Sequence, residues 1–474
     1  MKRILPALLL CLSALSAFSL APEPANQPTG LLFASVKTYG FVLSFTTTTA
    51  DGYLVLKSDK PITDVPADGT TYEKGQGLSS CKVLYVGANN ILNVREVLEN
   101  TTYYIKVFAY NGTASNTNYL QTNPLSGNTS TPSADAGSYY SGIDSSAGWF
   151  VSSLHDLINT HIQNTYTPGY VNTMVATLYE RDTTTGRCVV NCEYSNETTV
   201  YTPPFTFNGQ QYNREHVLCK SWMQTAAIYG ANNLIDYPEG SDYFNLLLTR
   251  STPNQSRSNH PEGEVVTVTT SYGESKYGKD SNGNTCFEPK EDRKGDVARA
   301  MMYEMVSYDG LEGGWGLDEL LSEAPDQSQA VLKQWNMQDP PDKFERTKND
   351  YIFSLQHNRN PFIDHPNWAN CINFDSLIKT NLCGALTGIT EANLNAGLNI
   401  YPNPTANILN VDLLAADFTG AAISVYNIYG QVVSVIETTT AKSALDVSAL
   451  EQGNYILKIS IGEKSAYRKF LIVR

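Results

Sequence analysis

The sequence predicts a multidomain chain: a β-sandwich, then an α+β body, then a second, small β-sandwich. Three observations lead there. The 474 residues suffice for about three domains at roughly 100–200 residues each. The apolar period changes twice, from 2 to a helical 3.6 and back to 2. The stretch 113–137 between the first two textures is rich in Ser, Thr, Asn, Pro and Gly, which predicts a linker. With 41% hydrophobic and 17% charged residues, the chain should fold rather than stay disordered. A formal net charge of −14 excludes a basic protein that coats nucleic acid through bulk electrostatics.

Residues 1–21 read as an export signal. Lys2 and Arg3 precede the apolar run Ile4–Leu15, and small residues follow in Ser16–Ala21. That run is short for a membrane span, and no other segment offers 18 consecutive apolar residues. The mature chain is therefore expected to be exported, without stable membrane insertion, and monomeric. Removing Cys11 leaves Cys81, Cys188, Cys192, Cys219, Cys286, Cys371 and Cys383. The close pair Cys188 and Cys192 has no second pair to complete a zinc site, so a local disulfide is expected for an oxidising compartment.

Over 25–112, short alternating strands are expected at Leu31–Val36, Phe41–Phe45, Tyr53–Lys57, Lys82–Val86 and Tyr103–Tyr110. Their spacing suggests a sandwich. The string Phe41-Val-Leu-Ser-Phe45 and the Tyr-bearing strand Leu98–Tyr110 resemble a fibronectin type III domain, with Phe45 where that family usually carries Trp. Such a module implies a spacer or binding role rather than catalysis.

Over 138–385, helical patterns appear at Ala147–Gln163 and Gly295–Val306 between polar loops. Period 2 returns over 395–474. Tyr401-Pro-Asn-Pro404, Gly453-Asn-Tyr-Ile-Leu-Lys-Ile459 and the basic end Lys469–Arg474 resemble the C-terminal sorting domain of type IX secretion. That resemblance implies engagement with the secretion machinery and delivery outside the cell or to its outer surface.

Candidate chemistry lies in the middle body. Glu215 and His216 are adjacent, between Arg214 and Lys220, and Asn254, Arg257 and Asn259 follow in a polar segment. A neutral imidazole takes a proton from water near neutral pH. A carboxylate with an amide oxygen suits Mg²⁺, a hard cation that keeps several waters. Asn254 and Arg257 share a face if the segment is helical, and guanidinium matches phosphate. Spacing alone would equally fit a solvated surface.

Three strings narrow the choice: Arg214-Glu-His-Val-Leu-Cys-Lys-Ser-Trp222, Asp242-Tyr-Phe-Asn-Leu246, and Asn254-Gln-Ser-Arg-Ser-Asn-His-Pro-Glu-Gly-Glu-Val265. With Lys294–Tyr303 and Asn358–Pro366 they resemble, in order, the bacterial endonuclease I family, whose site is of the ββα-metal (His-Me finger) type. The resemblance implies an Mg²⁺-dependent, sequence-nonspecific nuclease acting on DNA, with RNA as an alternative substrate and Mn²⁺ or Ca²⁺ as alternative ions. It leaves 5′-phosphate and 3′-hydroxyl ends. His216 would be the general base, Glu215 and Asn254 the metal ligands, and Arg257 a catalytic phosphate contact. Asn259, Lys220 and Arg214 would bind substrate.

Some positions depart from the family pattern. Phe244 stands for a usual His, Leu218-Cys219 for Trp-Pro, and Glu262 for the Phe of Pro-Phe-Gly. Residues 137–385 hold 18 Lys/Arg and 31 Asp/Glu, a balance of −13, so substrate attraction would need a local cleft of Arg214, Lys220, Arg250, Arg257 and Arg359. His155 and His161 are expected at the surface, and His365 in a structural role. The alternative reading is a noncatalytic surface adhesion protein built on a decayed nuclease.

Overall fold

The computed structural model describes residues 19–167, 169–179, 181–182, 188–201, 212–223, 237–308, 327–380, 398–413, 420–429, 431–440, 442–461 and 464–474. Most of the expected export signal, with Cys11, and also Cys383 lie outside the described residues. The chain divides into two compact units, 1–142 with 154–366 and 143–153 with 367–474.

The first unit opens with β1 (Thr29–Lys37), β2 (Gly40–Thr46), β3 (Gly52–Ser58), β4 (Lys82–Gly87), β5 (Ile91–Val94), β6 (Thr102–Asn111), β7 (Asn118–Tyr119) and β8 (Leu125–Ser130). One sheet has the order β1-β2-β5; the other runs β4-β3-β6-β7, with β8 also paired to β6. Alternation in β2 turns Phe41, Leu43 and Phe45 inward, against Tyr53, Val55, Ile105 and Val107. The central strand β3 is buried on both faces, because Leu54 and Leu56 join a second cluster with Val83, Phe108 and Tyr119. This is the fibronectin-like sandwich.

The expected linker 113–137 is corrected here, since β7 and β8 fall inside it and complete the sheet on β6. Gly127 of β8 lies close to β1: a Cβ there would come within 2.9 Å of Leu31 Cδ2, the end of a side chain that can turn aside.

The α+β body holds α1 (Phe150–Ile158), the π-helix α2 (Val171–Tyr179), β9 (Arg181–Asp182), β10 (Cys188–Asn191), β11 (Thr198–Tyr201) and β12 (Tyr212–His216). After these come α3 (Pro238–Ser241), β13 (Leu246–Arg250), α4 (Ser251–Arg257), β14 (Thr267–Tyr272), β15 (Ser275–Lys279) and β16 (Thr285–Glu288). The body closes with α5 (Lys294–Tyr308), α6 (Gln329–Gln338), α7 (Lys343–Gln356) and α8 (Pro361–Asp364). Helix α5 is the buried axis: Val297, Met301, Met302 and Met305 are wholly enclosed. Its Gly295 admits the chain of the next segment so closely that a Cβ would collide with the Asp339 carbonyl.

Helix α7 joins this body to the sandwich. Arg346 pairs with the buried Glu99 at 2.8 Å, the Glu99 amide donates to Thr347 Oγ1 at 2.9 Å, and Lys343 Nζ donates to the Asn100 carbonyl at 2.7 Å. Tyr39 and Tyr351 rings meet at 4.8 Å.

The second unit contains β17 (Ile372–Asn373), β18 (Ile378–Lys379) and a disulfide at Cys371. Its sandwich follows: β19 (Leu398–Tyr401), β20 (Ile408–Leu413), β21 (Ala421–Tyr426), β22 (Val432–Thr438), β23 (Lys442–Asp446), β24 (Gly453–Ile461) and β25 (Lys464–Ile472). Sheets β19-β20-β23 and β22-β21-β24-β25 enclose Leu409, Val411, Ile423, Val425, Leu457, Ile459 and Phe470. No helix among the described residues is long and apolar enough to cross a membrane.

Two further expectations change. Cys192 is a free thiol, so the Cys188–Cys192 disulfide is not formed. Four residues along an extended strand span about 13 Å, whereas bridged Cα atoms sit roughly 4.4–6.8 Å apart. Cys192 Sγ instead accepts the Arg250 amide at 3.0 Å. His161 is not on the surface: its side chain is 2% exposed, with Nε2 at 2.9 Å from the Tyr308 hydroxyl. His155 Nδ1 lies 2.8 Å from the Val306 carbonyl.

Candidate active site

The site is built on a strand, a strand and a helix. Strand β12 pairs antiparallel with β13, Glu215 opposite Leu247 and His216 opposite Leu246. Helix α4 follows β13 directly and packs on both strands. The end of β12 is fixed by Asn245, whose carbonyl accepts the Val217 amide at 3.0 Å. Its side-chain oxygen accepts the Leu218 amide at 2.8 Å. Asp242 anchors the approach to β13: it accepts Tyr303 Oη at 2.7 Å, Tyr308 Oη at 2.8 Å and Gln356 Nε2 at 2.9 Å. Phe244 is buried against the Tyr303 ring at 4.7 Å, so the departure at this position serves packing.

His216 is buried, its ring stacked on Tyr166 at 5.4 Å. Its Nε2 lies 2.9 Å from the Gly240 carbonyl of α3. A carbonyl can only accept, so Nε2 carries the hydrogen and Nδ1 keeps a free lone pair. Burial pushes the imidazole down to about 3, and Lys220, Arg214 and Arg257 push the same way against the Gly240 bond. The ring is therefore neutral across the ordinary pH range.

Glu215 is buried beside Arg257, Oε1 to Nη1 3.3 Å, and also receives Tyr194 Oη at 3.3 Å. A second carboxylate, Glu262, shares both partners: Arg257 Nε at 3.2 Å and Tyr194 Oη at 3.1 Å. One guanidinium thus serves two enclosed carboxylates. Burial raises Glu215 to about 8 despite Arg257, with Glu262 adding to the rise. Burial likewise raises Glu262 to about 7, and its Oε2 has no hydrogen-bond partner.

Arg257 is fully buried, not placed to face a substrate. Besides the carboxylates it donates to the carbonyls of His216 at 3.3 Å, Val217 at 2.5 Å and Ser258 at 3.2 Å, and to Cys219 Sγ. The Trp222 ring lies 5.2 Å from its Cζ. This arginine ties α4 to the β12 terminus. Ser258, next in sequence, has φ 48°, a left-handed conformation costly for a side-chain residue and common near active sites.

Asn254 is half-buried on α4, with Nδ2 donating to Thr249 Oγ1 at 3.3 Å. Committing the amide nitrogen there leaves Oδ1 as the acceptor turned elsewhere. Arg214 lies over the Tyr166 ring at 3.9 Å and donates to Thr167 Oγ1. Burial and Arg214 lower the Lys220 ammonium. Asn259 is half-buried just past α4.

The expected cleft of five cations does not form as such. Arg257 is internal, and Arg359 is buried between Asp350 and Asp364, both at 2.7 Å. Arg250 donates to Thr199 Oγ1 at 2.7 Å and lies 3.6 Å from Glu197. Arg214 and Lys220 remain beside His216. Tyr166, Gly240, Tyr194 and Glu262 were not singled out as site residues from sequence; only Glu262 left a signal, as an acid where the family places Phe.

The donor set fits a hard divalent cation. Two buried carboxylates against one arginine leave an excess negative charge, and the available atoms are oxygens. Among the described residues no three His, Cys, Asp or Glu side chains group as a metal site.

Comparison with known proteins bears on the middle body and on the tail. Residues 150–367 match the family model for Endonuclease I, and 399–473 match the secretion system C-terminal sorting domain. An extracellular ribonuclease of Bacillus subtilis (strain 168) is 33% identical over 250 residues, covering 50% of this chain and 79% of that protein. Another from Bacillus amyloliquefaciens is 32% identical over 253 residues, covering 51% and 79%. A human fibronectin type III domain covers 23% of this chain and 77% of its own at 15% identity and TM-score 0.17. The chain belongs to the endonuclease I family and is a nuclease exported by type IX secretion.

Proposed function

We propose that this secreted nuclease hydrolyses phosphodiester bonds of RNA and DNA without sequence preference, with Mg²⁺ as its ion, leaving 5′-phosphate and 3′-hydroxyl ends. The observation that carries the reading is the buried, neutral His216 pinned through Nε2 to Gly240, next in sequence to an enclosed carboxylate. The relatives described as extracellular ribonucleases favour RNA as a substrate alongside DNA.

In this mechanism Nδ1 of His216 takes a proton from the attacking water, which adds in line to phosphorus. The Gly240 carbonyl stabilises the imidazolium that forms. Tyr166 keeps the ring in plane. Glu215 and Asn254 would hold the cation, which would supply charge stabilisation at the phosphate and the leaving 3′ oxygen. Arg257 acts as a positioning residue, setting Glu215 and the His216 carbonyl rather than touching phosphate. Arg214, Lys220 and Asn259 contact the strand being cut.

The test incubates purified protein and Mg²⁺ with supercoiled plasmid and with RNA. Both should be degraded, and a chelator should stop both. His216→Ala should lower turnover by about 10²–10⁴-fold in protein that stays folded at the assay temperature. Undiminished cleavage by that variant would remove the base from the mechanism.

A further inference from the structure

The nuclease body is acidic, yet the sandwich in front of it concentrates cations in one place. Residues 22–137 contain seven Lys/Arg, at 37, 57, 60, 74, 82, 95 and 106. Four of them, Lys57, Lys74, Lys82 and Arg95, line a single groove of about 300 Å³, in which Glu96 is the one carboxylate. We propose that this groove binds the phosphate backbone of a nucleic-acid strand and recruits substrate to the nuclease; the proposal rests on the nucleic-acid reading above.

The register of the sheet supports an anionic occupant. Lys57 of β3 stands directly opposite Lys82 of β4. Directly opposed side chains share a face, so both chains rise from the same side of the sheet. Lys57 Nζ donates to the carbonyls of Arg95 at 2.9 Å and Glu96 at 3.1 Å, which brings the Arg95 segment against the pair. The Gly75 amide donates to the Val83 carbonyl at 2.8 Å, which holds the turn carrying Lys74 against β4. Tyr85 and the 65%-exposed Ile91 give the groove an apolar wall, a surface on which bases stack in single-strand binding sites.

The groove also reaches the catalytic body. Arg95 Nη1 donates to the carbonyl of Ala176 on α2 at 3.2 Å, and Ala176 lines the groove. Just before α2, Tyr170 Oη donates to the Leu246 carbonyl of β13, the residue paired with His216. One short segment, 170–176, therefore touches both the groove and the catalytic hairpin. This continuity favours nucleic acid over an anionic polysaccharide.

The test uses the full chain. In the His216→Ala background with Mg²⁺ present, binding of a long single-stranded RNA or DNA oligonucleotide is measured against salt. Adding K82Q/R95Q should lower the log–log salt slope by about 0.7 per lost contact, and K82E/R95E should weaken binding further. In the active protein, the same pairs should raise KM for the long oligonucleotide several-fold, leaving kcat and dinucleotide cleavage unchanged. Unchanged slope and KM in a K82Q/R95Q protein of normal melting temperature would overturn the groove. So would K82Q/R95Q weakening an anionic polysaccharide but not the oligonucleotide. If the wild type cleaves neither substrate, the nuclease reading fails, and the salt titration still decides the groove.

Discussion

Two buried arginines in this protein each face two carboxylates, and they differ in how closely those acids are held. Arg359 grips Asp364 through Nε and Nη2 at 2.7 and 2.8 Å and Asp350 through Nη1 at 2.7 Å. Arg257 meets Glu215 and Glu262 only at 3.3 and 3.2 Å, and spends its other donors on main-chain carbonyls and Cys219. The first cluster is closed and structural. The second leaves one carboxylate oxygen unpartnered and both acids raised. The contrast lies in how closely the acids are held: three short bonds at Arg359, two longer ones at Arg257.

Removing each arginine would sharpen the contrast most. Arg359→Ala leaves two half-buried carboxylates without their shared cation and should cost about 3–5 kcal/mol in denaturant unfolding. Arg257→Ala should cost less at neutral pH, about 1–3 kcal/mol, because Glu215 and Glu262 can take up protons, while activity is lost with the geometry of β12 and α4. Equal stability losses would erase the distinction.

The pH dependence comes next. Glu215 has its ordinary value near 4.5 and a native value of about 8, and Glu262 rises to about 7. The native state binds these protons more tightly, so their contribution is full below about 4.5 and lost as pH rises through about 8. The melting temperature of ion-free wild type, relative to Glu215→Gln, should fall across that window. Mg²⁺ should restore it at the alkaline end and do little at pH 5. A difference that stays flat with and without the ion would break the comparison. The smallest expected effect is Asn254→Ala, which should weaken Mg²⁺ binding by calorimetry about tenfold or more and change stability by no more than about 0.5 kcal/mol.

Local signals carried much of the fold and part of the site. The alternation of Phe41, Leu43 and Phe45 and the spacing of Val297, Met301 and Met305 are written in neighbouring residues. The same holds for Glu215 and His216 on one short strand and Asn254 on the next helix. What stayed hidden depends on distant partners. The carbonyl that selects the His216 tautomer belongs to Gly240, and the acceptors that occupy Arg257 lie on β12 and at Glu262. Strand β8 carries polar residues and a glycine whose pairing partner, β6, lies some twenty residues away in sequence, and an extended strand separates Cys192 from Cys188.

The clamp of Glu99 on Arg346 and Thr347 bears on what leaves the cell. A module bolted in this way is not a swivelling tether, and any proteolysis that trims the sorting tail leaves sandwich and nuclease travelling as a single cargo.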